Sequence, residues 1–120
     1  MTTIKSFSDL QQSKKLAEIL PLESGDMCYV WDYERKCYTP EFFSFIQNQD
    51  NEGVEHIDYP CWSLAALLKL LPKSARLEKG NVTELYRVTL PVELETSDWY
   101  DNPIDACVAM IEKLYERKML

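Results

Sequence analysis

The sequence predicts an α+β domain: a small antiparallel sheet of three to five strands, covered mainly on one face by three helices. Two periodicities and their punctuation carry this reading. Apolar residues recur at steps of three and four over residues 10–20 and 104–115, the period of a helix. They alternate over residues 27–33 and 85–90, the period of a strand with one buried face. Most prolines and glycines fall between these segments. At 120 residues, 46% apolar and 28% charged, the chain reads as a single domain, 1–120, with an ordinary globular balance. A core of that size needs neither disulfide nor metal.

The first helix is expected from about Asp9 to Leu20. Ser8 and Gln11 have capping-box spacing, Leu10, Ser13, Ala17 and Leu20 share a face that Leu16 and Ile19 widen, and Pro21 ends it. Glu23-Ser24-Gly25-Asp26 reads as a turn. Met27 to Tyr33 is a strand, and Cys37-Tyr38-Thr39 returns across a three-residue turn, Glu34-Arg35-Lys36. That turn would set Tyr33 opposite Cys37 and Cys28 opposite Phe42. Pro40 marks an edge or an end, Glu41 to Ile46 reads as a strand, and polar, acidic Gln47 to Tyr59 as a surface loop.

A second helix is expected over Trp62 to Leu71, started near Ser63 or Asp58 and stopped by Pro72. It is apolar nearly all round, so it is either central in the core or half exposed as an interface. Ala75–Glu78 and Val82–Leu90 read as a hairpin across Lys79-Gly80-Asn81, with Val92 and Leu94 extending the strand after Pro91. The last helix has the clearest signals. Asn102 is a favoured N-cap and Pro103 a favoured first helical residue. Ile104, Cys107, Val108, Ile111, Leu114 and Tyr115 form its stripe, while Asp105, Glu112, Lys113, Glu116 and Arg117 take the outer face.

The net charge of −7 is unevenly spread: −6 over 26–60, +3 over 61–90 and −4 over 91–120. Such an acidic chain lacks the basic footprint of a duplex-DNA binder. Lys69, Lys73, Arg76, Lys79 and Arg87 read as solvated surface. The acids are too sparse to favour a nucleic-acid mimic. No apolar run approaches a membrane span and no signal-peptide core opens the chain, so a cytoplasmic protein is expected.

Cys28, Cys37, Cys61 and Cys107 form no close pair and His56 lies at no ligand spacing, so free thiols and no metal or cofactor are expected. Gly25, Gly53 and Gly80 are isolated, which excludes a phosphate-cradling loop. Cys61 with His56 is the one nucleophile–base pair the sequence offers; its bland reading is a core thiol beside a loop histidine. Paired acids such as Glu93/Glu95 and Asp98/Asp101/Asp105 would need an apolar pocket to do acid–base work. Trp31, Trp62 and Trp99 read as core or rim rather than base-stacking platforms, because no basic groove accompanies them.

Three stretches, Gln11–Pro21 with Glu23–Met27, Trp62–Leu68 closing on Leu71-Pro72, and Asp101–Cys107, together resemble small uncharacterised proteins of gut anaerobes, often carried in prophages and mobile elements. The resemblance implies a bacterial cytoplasmic setting and a phage-related accessory role, and it transfers no catalytic residue. The function expected from all of this is a non-enzymatic protein-binding module. Its candidate interface is Trp62, Leu64, Leu67, Leu68 and Leu71, facing a protein partner or a second copy. An enzyme using acidic side chains and an acidic nucleic-acid mimic are the alternatives.

Overall fold

The computed structural model describes residues 6–42 and 59–119. These form a mixed α+β fold with α1 (Leu10–Ile19), β1 (Met27–Asp32), β2 (Cys37–Phe42), β3 (Tyr59–Cys61), α2 (Leu64–Leu70), β4 (Arg76–Lys79), β5 (Tyr86–Leu90), β6 (Glu95–Thr96) and α3 (Pro103–Glu116). The strands divide into two antiparallel three-stranded sheets, ordered β2-β1-β3 and β4-β5-β6, where the sequence suggested one. Of the strand expected over residues 41–46, residues 41 and 42 continue β2 through Pro40 and the rest lies outside the described residues, as does the expected acidic loop up to residue 58; Tyr59, expected in that loop, opens β3 because it pairs with Tyr29.

α1 starts one residue later than its spacing suggests. Asp9, not Ser8, is the cap: its carboxylate accepts from Gln12 N at 2.8 Å, and Gln12 Oε1 accepts from Asp9 N at 3.0 Å. The Ser8 hydroxyl is fully buried instead, bonded to Ser13 Oγ at 2.8 Å and accepting from Trp62 N at 3.1 Å. Ser8 N donates to Trp62 O, so the chain before α1 is strapped to the residues that open α2.

The β1–β2 hairpin is also shifted by one residue: Asp32 faces Cys37, Cys28 faces Glu41 and Met27 faces Phe42. The Asp32 carboxylate accepts from Glu34 N and Arg35 N, and Lys36 turns left-handed at φ 54°. That local bonding closes a four-residue loop and leaves Tyr33 out of the ladder. Pro40 lies on an edge strand, where its missing N–H is tolerated. Gly25 meets β3 closely: a Cβ there would lie 3.0 Å from Cys61 O.

β4 and β5 pair as expected, from Arg76↔Thr89 to Lys79↔Tyr86, but the connection is longer than expected, and Val82 lies exposed within it. Val92 and Leu94 do not extend a strand. They occupy the turn between β5 and β6, 77% and 87% exposed, with Leu94 at φ 59°. A side chain in that left-handed region costs about 1–2 kcal/mol, and glycine, which is free of this cost, gives part of it back in unfolded-chain entropy. Leu94→Gly is therefore expected to leave stability unchanged or raise it by up to about 1 kcal/mol in urea denaturation. A loss beyond that would mean the leucine side chain packs.

α3 is capped by Asn102, whose Oδ1 accepts from Asp105 N at 2.8 Å, with Pro103 opening the helix. Its buried stripe is broader than the expected one: Ile104, Cys107, Val108, Ile111 and Leu114 are joined by Ala106 and Met110, while Tyr115 is exposed. This helix packs on β5 and α2. Leu16, Leu20, Trp62, Leu67, Val88 and Leu90 complete the core around it. Buried Glu95 ties β6 to the end of α3 through Arg117 and through Lys113 at 3.2 Å.

Candidate functional site

The residues expected to form an interface on the second helix divide in the fold. Trp62, which precedes α2, and Leu67 are fully buried, and Leu71 nearly so. Leu64 is half-buried against the same core, which leaves Leu68, 38% exposed, facing outward. The apolar excess of this segment is thus largely core: α3 covers one side of it and the Ser8 strap meets Trp62. The Trp62 indole donates to Ser24 Oγ at 3.0 Å.

Cys61 sits in a closed polar cluster. Its thiol donates to Ser8 O at 3.4 Å and accepts from Ser8 Oγ at 3.7 Å, and Tyr29 OH donates to the same carbonyl at 2.8 Å. Burial is the largest cause pushing both the Cys61 thiol and the Tyr29 phenol above their ordinary ranges. His56 lies outside the described residues. Burial also pushes Cys107 from 9.0 up to about 12. None of the four cysteines is in a disulfide, and only Cys37 is exposed. Cys61, Tyr29 and Cys107 keep their protons in the folded chain where the unfolded chain has lost them. The folded state therefore binds more protons above the unfolded value, and stability must fall from about pH 9 upward, through the folded value near 12 for Cys107. Denaturation at pH 7 and pH 10 checks this, and a flat profile would contradict it. A thiol reagent at pH 7 is expected to label Cys37 quickly and the other three only on unfolding.

The carboxylates near the α1 and α3 starts are bound into the fold. Asp105 accepts from Gln12 Nε2 at 2.6 Å and from Asn102 Nδ2 at 2.8 Å, and Asp9 caps α1. The aromatics of the first sheet engage one another: Trp31 meets Tyr38 edge-on at 5.2 Å, Tyr38 meets Tyr59 at 5.6 Å, and Lys14 lies over the Tyr59 ring. Among the described residues no group of three or more His, Cys, Asp or Glu side chains could hold a metal ion, and no helix is long and apolar enough to cross a membrane.

A cleft lies on the outer face of the second sheet. Register places Glu78 opposite Arg87. After β6 the chain continues along β5, with Ser97 bonded to Val88 and Tyr100 paired to Tyr86 through both backbone bonds, 2.6 and 2.8 Å. Trp99 is thereby brought beside Arg87. The row Glu78–Arg87–Trp99 runs across the sheet, while Val88, the next residue along β5, is buried on the inner face. The Arg87 guanidinium lies 4.5 Å from the centre of the Trp99 ring, and Trp99 stays 41% exposed. With Lys79 from the end of β4, and Val82 and Thr83 from the hairpin connection, these residues line this cleft of about 520 Å³.

Sequence reasoning treated Arg87 and Lys79 as solvated surface and Trp99 as packing. The available signal was the β4–β5 register, which pairs Glu78 with Arg87; the return of Trp99 beside Arg87 depends on a non-local bridge. No protein-family model, curated protein or solved structure matches the chain.

Proposed function

We propose that this protein is a non-enzymatic binding module that docks a segment of another protein in the cleft beside Trp99. The observation carrying this reading is the half-exposed indole with Arg87 stacked on it. Tryptophan and arginine are the residues most enriched among those that dominate interface energies, because each combines large contact area with directed polar groups. The contact holds the guanidinium over the indole before a partner arrives, which lowers the ordering cost of binding. The resemblance to small proteins of gut anaerobes, often carried in prophages and mobile elements, supports placing the module in a bacterial cytoplasm, in the service of a mobile element.

The test compares the wild-type chain with Trp99→Ala in a tagged pull-down at mild salt, after circular dichroism shows both folded. One stoichiometric protein retained by the wild type and lost by the variant is expected. Retention of the same protein by Trp99→Ala, or no stoichiometric partner on the wild type, would overturn the reading.

A further inference from the structure

Resting on that docking reading, we infer that the segment held in the Trp99 cleft is acidic, and that a carboxylate of the partner binds the Arg87 guanidinium with Lys79 beside it. Three observations converge on this class of ligand. First, Arg87 is held in place but under-satisfied. Its Nε is buried from solvent and has no hydrogen-bond partner among the described residues. The nearest carboxylate oxygen, Glu78 Oε1, lies 3.6 Å away, close enough for attraction and too far for a hydrogen bond. A guanidinium offers five donors in a fixed fork, and its natural complement is a carboxylate.

Second, the cleft departs from the charge of the whole chain. Its lining carries Lys79 and Arg87 against Glu78, a local excess of one positive charge on a protein of net −7. Third, there is room: about 520 Å³ opens beside the exposed indole, enough for several side chains of an extended peptide. A nucleic acid would also offer anions and stackable rings. It would, however, bring many phosphates towards a strongly acidic chain with only two cations in the cleft, whereas a peptide brings a few charges placed locally. Glu78 does not block the site: its side chain is 40% exposed and can swing towards solvent as the ligand carboxylate arrives.

The experiment uses the full chain, labelled with nitrogen-15, and three probes at low salt: a blocked hexaglutamate peptide, its hexaglutamine counterpart and a thymidine hexanucleotide. The indole N–H of Trp99 and the Nε–H of Arg87 are followed. Saturable shifts of both signals with hexaglutamate, and none with hexaglutamine, are expected. Arg87→Gln should abolish the response of the Trp99 indole N–H. Lys79→Gln, at an exposed position where folding is not at stake, should weaken it by about two- to fivefold, the size of an exposed ion pair. Equal responses to the two peptides, no response to either, or a stronger response to the hexanucleotide would overturn the acidic-segment inference. If the pull-down partner depends on Trp99 but the two peptides behave alike, the docking reading stands and this inference falls. If the partner is indifferent to Trp99, the docking reading itself falls.

Discussion

Trp62→Ala is expected to lower stability by about 3–5 kcal/mol in chemical denaturation. That is a large share of the roughly 5–15 kcal/mol that holds a typical domain together. Three contributions are lost together. The indole is fully buried within the main core cluster, so its removal leaves a cavity lined by side chains that cannot collapse into it. Its N–H bond to Ser24 Oγ goes, freeing the 3₁₀ turn Leu22–Ser24 from the base of α2. The strap formed by Ser8 and the Trp62 backbone then borders an empty space. Leu68→Ala, six residues along, removes a partly exposed side chain and should cost less than about 1 kcal/mol. The contrast separates the two roles the sequence allowed for this segment. If Trp62→Ala left stability intact and changed only association, the segment would be an interface and its burial in this fold would be wrong.

The ambiguity that this pair of variants resolves shows where sequence reasoning reached its limit. An apolar run such as Leu64–Leu71 is equally consistent with a core helix and a docking helix, because periodicity is lost when every face is apolar. Burial depends on what packs from elsewhere, here α3 and the Ser8 strap. α3 itself was legible because every local signal agreed: cap, proline and stripe. The one-residue errors at α1 and at the β1–β2 hairpin share a cause. In both places an aspartate, Asp9 or Asp32, bonds the backbone just after it and sets the boundary, and sequence spacing alone favoured a neighbouring solution.

The candidate site was the least legible part. Its cation and its aromatic are twelve residues apart in sequence, and they meet because residues 95–100 run back along β5. The sequence suggests that Val92 and Leu94 extend the strand after Pro91, and that reading hides the turn. The structure uses them as a turn, with Leu94 in a backbone region that leucine disfavours. Once that turn forms, Glu95 enters the core edge with Arg117 and Lys113 as its partners, and the return strand is anchored on α3. The placement of Trp99 therefore depends on a buried carboxylate and on the helix that carries its counter-ions.

That dependence gives the second large effect its meaning. Ile111→Ala is expected to cost about 2–4 kcal/mol, since Ile111 is fully buried in the α3 stripe facing the main core. Tyr115→Ala, one turn further on, should cost well under half of that, because its ring is 48% exposed. A loss below about half a kcal/mol at Ile111 would mean that α3 is not docked as described. The consequence would reach the cleft. α3 holds β6 through Glu95, and β6 leads the chain to Trp99, so an undocked α3 would release the indole from Arg87. In a urea titration, Ile111→Ala should therefore lose the Trp99–Arg87 contact and the helical signal of α3 in one transition, at lower urea than the wild type. A cleft that melted separately, before α3, would instead mark residues 95–100 as a unit of lower stability than the core.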